Sequence, residues 1–523
     1  MSEAWPQQSS PASAIPRAGR GPAFLAGVLA ALAALAVAEL VAGLVAGAPS
    51  LVIAVGDLVI AVQPPGAKDL VVALFGSANK LALEVTVVLA AALVAGLLGI
   101  LGRRSLVLGA TGFAVAGVAG AGAALRGPLV DPVLAVLVAV LAVVVGVGVL
   151  ALLLALARPR ATAAAGGMPD WDRRRFLLAG GATVAASVAA AQVGRGLLVG
   201  RPVAPADLAA IPDAPDPVVL PPGAELEVPG LTPLIVPVAD FYRIDTALIS
   251  PRVDVATWTL TVRGMVGREV RLTYDELFDF PIVEQQCTIA CVSNEVGGRL
   301  VGNALWRGID LRAVLARAEP DPAATQIVGR SADGWTGGFP TAWAMDPART
   351  PMIAVAMNGA PLTADHGYPA RLIIPGLYGY VSATKWLTEI ELTTMEAFDA
   401  YWIPLGWAKE APILTQARID VPRAGADVAA GSVAIAGVAW APDRGVSAVE
   451  VRIDEGDWQQ ARISEPVSAA TWVQWVLPWS ATPGTHRIAV RATDGLGVVQ
   501  TDERTAPAPD GARGHHTITV RVA

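Results

Sequence analysis

Four runs of small and aliphatic residues near the start of the chain constrain its fold more than any other feature. Residues 21–46, 81–101, 105–125 and 132–157 consist almost wholly of Ala, Val, Leu and Gly. Each is long enough, as a helix rising about 1.5 Å per residue, to cross a hydrocarbon core of about 30 Å. In that medium every backbone N–H and C=O must be satisfied within the segment, which makes the α-helix the reading for all four. Between the first two runs, residues 50–76 are apolar but interrupted by Asp57, Pro64, Pro65, Lys68 and Asp69. That pattern suits an interfacial or re-entrant segment better than a clean span.

Arginine placement sets the orientation. Arg17 and Arg20, then Arg103 and Arg104, then Arg158, Arg160 and Arg173 to Arg175 fall on one side if the runs alternate in direction. Cytoplasmic loops carry the excess of positive charge, so residues 1–20 form a cytoplasmic N-terminus and 21–160 about four transmembrane helices in a multi-pass inner-membrane protein. The stretch Asp172-Arg173-Arg174-Arg175-Phe176-Leu177, followed by small apolar residues from 178 to 193, resembles a twin-arginine export signal placed internally. A fifth helix with an ordinary positive flank reads the same residues. Both readings put everything after about residue 194 outside the cytoplasm. No alanine-type cleavage site stands out, so segment 161–200 stays as an anchor.

Hydrophobic residues make up 54% of the chain and charged ones 16%, yet Trp, Pro and charge concentrate after about residue 200. That is the composition of a membrane part joined to a folded polar part. Residues 201–237 are Pro-rich without sustained periodicity and read as an extended linker. From 238 to 410, strands and short helices mix: Trp258, Leu260 and Val262 alternate with threonines as in a half-buried strand, whereas 274–278 and 311–318 look helical. From 411 to 523, Val433 and Ile435, Val449 to Ile453, Ile488 and Val490, and Ile518 to Val522 keep a period of two, separated by turns such as 454–457. Their spacing predicts an immunoglobulin-like β-sandwich. The net charge of -7 offers no basic footprint, which excludes nucleic acid as a partner. Two cysteines cannot build a disulfide framework or a structural zinc site.

Those two cysteines lie in Gln286-Cys287-Thr288-Ile289-Ala290-Cys291-Val292-Ser293-Asn294-Glu295-Val296-Gly297-Gly298. A thiol that ends an apolar strand and enters a Gly/Asn/Ser loop can meet a soft metal. The residues alone equally allow a buried core pair, a disulfide between Cys287 and Cys291, or a redox-active thiol pair. Downstream, in order, come Asn358-Gly359-Ala360-Pro361-Leu362, Asp365-His366-Gly367-Tyr368-Pro369-Ala370-Arg371, Pro375-Gly376-Leu377-Tyr378-Gly379 and Thr384-Lys385-Trp386-Leu387.

With the Cys291 motif, this ordered series resembles the oxidoreductase molybdopterin-binding domain of the sulfite oxidase family, over about residues 240–407. The stretch 434–440, Ala-Ile-Ala-Gly-Val-Ala-Trp, looks like the start of that family's C-terminal dimerisation domain. The resemblance implies a multidomain chain: an N-terminal all-α transmembrane bundle, an α+β molybdopterin-binding domain and an immunoglobulin-like β-sandwich. It implies a molybdenum–molybdopterin cofactor with Cys291 as metal ligand, and Asn294, His366, Arg371 and Lys385 as cofactor-binding residues. A guanidinium fork and an ammonium suit a phosphate, and nearby glycines let backbone N–H groups approach it. Arg243 matches the arginine that faces an anionic substrate, although Ile244 and Asp245 replace the polar pair that commonly follows. Trp407 falls where sulfite-oxidising members carry a tyrosine, which alters the substrate pocket. Catalytic roles are therefore carried over to Arg243, Cys291 and Trp407.

The activity so implied is two-electron oxygen-atom transfer on a small oxyanion or sulfoxide, in a protein that dimerises by analogy. All four histidines, His366, His486, His515 and His516, lie outside the apolar runs, and no Cys-x-x-Cys-His occurs. The chain therefore brings no haem of its own, and electrons are expected to pass to or from an external cytochrome or quinone-linked partner. The competing reading is a cofactor-free, membrane-anchored receptor on a degenerate scaffold, which would need neither Cys291 nor Arg371.

Overall fold

The computed structural model describes residues 18–64, 71, 74, 75, 78–158, 170–200 and 211–523. It divides into two compact units, residues 1–201 and 202–523. The expected cytoplasmic residues 1–17, most of 65–77, the stretch 159–169 with Arg160, and 201–210 of the expected linker lie outside the described residues.

The first unit is helical: α1 (Arg20–Leu44), α2 (Leu51–Val62), α3 (Asn79–Gly102), α4 (Leu106–Ala124), α5 (Pro132–Leu156) and α6 (Asp170–Gly200). All but α2 contain a segment long and apolar enough to cross a membrane. The 12 residues of α2 rise only about 18 Å, too little to span. Two helix starts are capped: Ser50 Oγ accepts from the Ile53 N–H at 3.2 Å, and Asp131 Oδ1 from Val133 and Leu134 N–H at 2.8 and 3.1 Å, ahead of Pro132. Small residues let the helices touch backbone to backbone. A Cβ on Gly27 of α1 would lie 1.9 Å from the Ala95 carbonyl oxygen of α3, and one on Gly194 of α6 would lie 2.4 Å from the Glu39 carbonyl oxygen of α1. Such close approach gives the dispersion contact on which helix association in lipid depends. Arg195 donates to both oxygens of Glu84 at 2.6 Å, and Ser50 donates to Glu39, so each of these two glutamates has a polar side-chain partner.

The second unit is β-rich. One sheet runs in the order β2-β1-β10-β5-β6, from β1 (Thr259–Gly264), β2 (Val270–Thr273), β5 (Gln326–Ser331), β6 (Thr336–Pro340) and β10 (Leu387–Thr393). Another runs β3-β4-β7-β8, with β9 also on β7, from β3 (Ile282–Ala290), β4 (Val301–Asp310), β7 (Met352–Met357), β8 (Ala360–Pro361) and β9 (Arg371–Ile373). Strand β1 shows the predicted alternation, with Leu260 and Val262 fully buried and the threonines half-buried. After β4, α7 (Leu311–Ala318) is capped by Asp310, whose Oδ1 accepts the Arg312 N–H at 2.9 Å. It buries Leu311, Val314, Leu315 and Ala318, one face at helical spacing. The predicted helix at 274–278 is instead a short 3-10 turn, Asp275–Asp279.

C-terminal to these, a four-stranded sheet centred on Gly431–Trp440 and Val473–Ala481 and a five-stranded sheet centred on Val446–Ile453, Gly484–Asp494 and His516–Val522 share one apolar core around Trp475, Val451, Ile488 and Val520. Residues 202–523 cluster as one compact unit, within which the expected boundaries at 237/238 and 410/411 would fall. Trp440 and Trp472 of the sandwich belong to the catalytic region's core. Residues 211–237 carry no helix or strand, as an extended segment should, but they are docked. The Val236 N–H donates to the Asn303 carbonyl at 2.9 Å, and Trp472 Nε1 to the Leu234 carbonyl at 2.9 Å.

Candidate active site

Strand β3 delivers Cys291. Its antiparallel pairing with β4 runs from Ile282–Ile309 to Ala290–Val301 and stops there, so Cys291 is the first residue beyond the ladder. The Cys291 N–H donates to the Leu300 carbonyl at 2.9 Å, the Asn294 N–H to the Cys291 carbonyl at 3.0 Å, and Asn294 Oδ1 accepts the Leu300 N–H at 2.8 Å. Asn294, singled out as a cofactor contact, thus uses its carbonyl oxygen to close the 291–300 loop. At the root of the loop the Cys291 thiol is 9% exposed, with Sγ 2.9 Å from Ser293 Oγ.

The sandwich grips this loop. Gly297 has φ +78°, and a Cβ on it would lie 2.2 Å from Cδ2 of His516, so only glycine fits. Arg418 Nη1 donates to the Gly298 carbonyl at 3.0 Å, while His516 Nδ1 accepts the Ile419 N–H at 2.9 Å. From the same side, the Trp472 N–H donates to Thr288 Oγ1 at 2.8 Å, anchoring β3.

Cys287 is a different kind of thiol. It is fully buried, and burial pushes its pKa up to about 12 against the opposing charge of Arg371, so it stays protonated. No disulfide joins it to Cys291. Four residues along an extended strand separate Cα atoms by roughly 13 Å, twice the reach of a disulfide. Of the alternatives open from the residues, Cys287 is the core thiol and Cys291 the strand-end one.

The other predicted residues form a cluster connected to Cys291 through Tyr242, whose phenol feels the charges of both Cys291 and Arg371. Arg371 opens β9 and is 5% exposed, its guanidinium 5.0 Å over the Trp306 ring. Nη1 donates to the His366 carbonyl at 3.1 Å and Nη2 to the Ala383 carbonyl at 3.3 Å. Nε has no hydrogen-bond partner, and among the described residues no carboxylate pairs with this guanidinium, which burial holds down to about 10. A buried cation without a counter-charge is costly unless an anion arrives to complete it. His366 Nε2 sits 3.0 Å from the Val238 carbonyl, and since a carbonyl only accepts, Nε2 carries the proton and Nδ1 the lone pair. Burial and the charge of Arg371 lower His366 to about 4, so it is neutral. Lys385 Nζ donates to Asp245 Oδ2 at 2.8 Å and to the Asp365 carbonyl at 3.0 Å, and lies 4.5 Å over Trp386. Arg243, half-exposed, pairs with Asp365 at 2.6 Å. Burial works against ionisation of Asp365, but the Ser250 hydroxyl and Arg243 outweigh it and hold its carboxyl below the usual range.

Two phenols escaped the sequence reading. Tyr242 stacks on Phe241, whose ring meets those of Trp306 and His366 edge-on at 5.9 and 5.8 Å. A Cβ on Gly379 would lie 3.7 Å from the Ala290 carbonyl oxygen and 3.9 Å from the Tyr242 hydroxyl, which places that hydroxyl at the end of β3. Burial, then the negative charge of Cys291, pushes the Tyr242 phenol far up, while Arg371 opposes. Tyr378 is pushed up to about 12, by burial first and in part by Cys291. Both stay protonated as hydrogen-bond donors. Tyr378 lies inside the 375–379 motif but was given no role there, and Tyr242 could have been marked only by its adjacency to Arg243. Trp407 packs on Tyr380, ring centroids 5.9 Å apart, rather than joining the Arg243–Asp365–His366–Arg371 network.

A thiol at a strand end, a buried uncompensated guanidinium, a neutral imidazole and protonated phenols are groups that could hold a metal carried on an anionic organic group. The chain matches the oxidoreductase molybdopterin binding domain over residues 247–402, a segment that holds Cys291, Asn294, His366, Arg371 and Lys385 and leaves Arg243 and Trp407 outside. That segment is an oxidoreductase molybdopterin-binding domain, and through it the chain is similar to molybdopterin-dependent sulfite oxidases and nitrate reductases. It is 30% identical to mitochondrial sulfite oxidase of Homo sapiens over 301 residues, 48% of this chain and 55% of that protein. It is 37% identical to NADH nitrate reductase 1 of Oryza sativa subsp. japonica over 177 residues, 29% of this chain and 19% of that protein. The chain thus spans about half or less of these relatives. Among solved structures, the sulfane dehydrogenase SoxCD from Paracoccus pantotrophus aligns with TM-score 0.48 and 21% identity, covering 55% of this chain and 81% of that one.

Proposed function

We propose that this chain is a membrane-anchored molybdenum enzyme that performs two-electron oxygen-atom transfer on a small sulfur-containing or similar substrate outside the cytoplasm. The observation that carries the reading is Arg371: a buried guanidinium with an orphaned Nε and no carboxylate partner, in the same cluster as the strand-end thiol of Cys291. Arg371, His366 and Lys385 would hold the phosphate-bearing organic part and Cys291 would ligate the metal. When bound, the molybdenum cofactor supplies oxygen-atom exchange with the substrate and one-electron exchange with a carrier. The protein's own part is positional. His366 offers the Nδ1 lone pair to a ligand N–H, Tyr242 and Tyr378 keep protons available as donors near Cys291, and the Asn294-closed loop, gripped by Arg418 and His516, holds Cys291 in place.

The five apolar helices and the arginines at positions 17, 20, 103, 104, 158, 160 and 173–175 support a multi-pass inner-membrane protein with its catalytic domain outside the cytoplasm. Arg173 to Arg175 before the apolar part of α6 support twin-arginine export of a folded, cofactor-loaded domain. The two-sheet C-terminal region supports an immunoglobulin-like dimerisation domain, and the absence of histidine from the apolar runs supports a separate cytochrome or quinone-linked electron partner.

The test is metal analysis of the detergent-solubilised full chain. Near-stoichiometric molybdenum is expected, lost in Cys291→Ala. Molybdenum absent from the wild type, or retained after Cys291→Ala, sinks the reading.

A further inference from the structure

We propose that the turn at residues 495–499 of the β-rich unit enters the surface of the lipid bilayer, a membrane contact separate from the apolar helices. The inference rests on the membrane-anchored reading above and adds to it a place where the catalytic unit itself meets lipid.

Among the described residues of the β-rich unit, eight large hydrophobic side chains stand exposed, and three of them fall within four positions: Leu496, Val498 and Val499, at 75%, 59% and 47%. Single exposed aliphatic side chains are ordinary on a protein surface, whereas a group of them at one tip marks a contact. The turn follows the strand Gly484–Asp494, and residues 495–500 read Gly-Leu-Gly-Val-Val-Gln, without a charge.

The polar atoms of the turn are closed inward. Buried Asp494 accepts the Leu496 and Val498 N–H on Oδ1 at 3.1 and 3.0 Å, while its Oδ2 accepts from Arg444 Nε at 2.9 Å and from Thr415 Oγ1 at 3.2 Å. The Asp494 N–H donates to the Val498 carbonyl, the Gly497 N–H to the Asp494 carbonyl and the Gly495 N–H to the Gly445 carbonyl, each at 3.0 Å. Every backbone N–H from 494 to 498 therefore has its partner within the protein. Buried Gln500 also turns inward, donating from Nε2 to the Gly514 carbonyl at 2.8 Å and accepting the Ala492 N–H at 3.1 Å. A turn so closed can leave water without stranding a donor, which is the condition for backbone to enter a medium of low polarity.

The occupant is lipid and not a protein face. Specific protein interfaces cover about 800 Å² on each partner and centre on Trp, Tyr or Arg, whereas this tip offers three aliphatic side chains. Such side chains suit the boundary between headgroups and acyl chains. Residues 201–210 join the unit to α6 and reach at most about 40 Å however they run, so the unit stays close to the lipid in which α6 is read to sit. The next exposed charges along the chain, Asp502, Glu503 and Arg504, sum to -1 and give no attraction to anionic headgroups. The contact is therefore apolar and insensitive to salt.

The experiment uses the full chain, first tested for carbonate extraction from membranes and then placed one copy at a time in phosphatidylcholine nanodiscs. Leu496→Cys and Val498→Cys, each carrying an environment-sensitive NBD label, are compared with labelled Asp457→Cys at another exposed turn of the sandwich. The wild type, whose two cysteines are buried, is the labelling blank. Labels at 496 and 498 should emit to the blue of the label at 457. They should be quenched several-fold less by iodide and several-fold more by doxyl-labelled phosphatidylcholine, at low and high salt alike. Iodide quenching equal to that at 457 overturns the inference. Shielding from iodide without quenching by the doxyl lipid sets the tip against protein and overturns it too. A chain released by carbonate fails the membrane-anchored reading and takes this inference with it, whereas a carbonate-resistant chain whose tip is open to iodide fails this inference alone.

Discussion

The helical unit and the β-rich unit solve opposite problems. In the helices, contact is made through missing side chains: Gly27 lies against the Ala95 carbonyl and Gly194 against the Glu39 carbonyl, and the polar groups present, Glu84 with Arg195 and Glu39 with Ser50, are absorbed by one another. In the β-rich unit, large aromatic side chains fill the core, with Trp306, Trp386, Trp440, Trp472 and Trp475 fully buried. Polar atoms are spent on fixing one loop and one strand end, and one cation, Arg371, is left unsatisfied beside them. In the first unit the buried atoms left without a partner, Glu39 Oε2 and Arg103 Nε, belong to side chains whose other polar atoms are hydrogen-bonded. The second carries an unmet charge at its centre, and that separates a scaffold from a site.

The largest test of this contrast is Arg371→Met. Molybdenum content should fall on the order of 100-fold, as expected when a buried contact to a metal group is removed. The cofactor-free protein should become more stable by ~1–3 kcal/mol, because an uncompensated buried charge is gone. Metal analysis paired with thermal melting reads both, and a destabilised apo form would show that Arg371 is structural after all.

Gly194→Leu probes the other unit. A side chain there meets the Glu39 carbonyl at 2.4 Å and the Leu40 Cα at 2.7 Å, both backbone atoms that cannot yield. A loss of ~3 kcal/mol is expected in detergent-to-SDS unfolding, with molybdenum per folded molecule unchanged. Unaltered SDS resistance would show that α1 and α6 do not rely on this contact.

The smallest effect is a pH dependence confined to the β-rich unit. His366 is lowered to about 4 by burial, then by Arg371, whereas an unfolded histidine titrates near 6.5. The unfolded state therefore binds the proton first, and stability present above about pH 6.5 is lost as pH falls toward about 4, by ~2 kcal/mol. His516, lowered to about 4 by burial and Arg418, acts in the same direction. Melting temperature followed from neutral to acid pH measures the loss. A flat profile would mean that both imidazoles are solvated.

Much of the site was legible in the residues. Cys291 at the end of an apolar strand, and the ordered motifs holding Asn294, His366, Arg371 and Lys385, named the chemistry before any fold was drawn, and the structure brings the last three into one network with Arg243. Asp245 was visible as a departure but not as the partner of Lys385, which lies 140 residues away in sequence. Tyr242 and Tyr378 went unassigned, although Tyr378 lies in the 375–379 motif, because neither phenol is marked by a residue pattern of its own. The Pro-rich stretch was read as an extended linker, and its Leu234 and Val236 prove to be docked, since apolar residues without periodicity do not announce what they face.

The sequence by itself determined the helical unit, because a bilayer-length apolar run has one way to satisfy its backbone. It also pointed to the cofactor class, through an ordered set of motifs that resembles a molybdopterin-binding domain. Only the tertiary structure decided which cations stay available: pairing depends on carboxylates brought from distant segments, at distances of 2.6 and 2.8 Å. It also decided that Cys287 is inert and that the sandwich holds the Cys291 loop through Arg418 and His516. A charge is written in the sequence, but whether it is free to act depends on what the fold sets beside it.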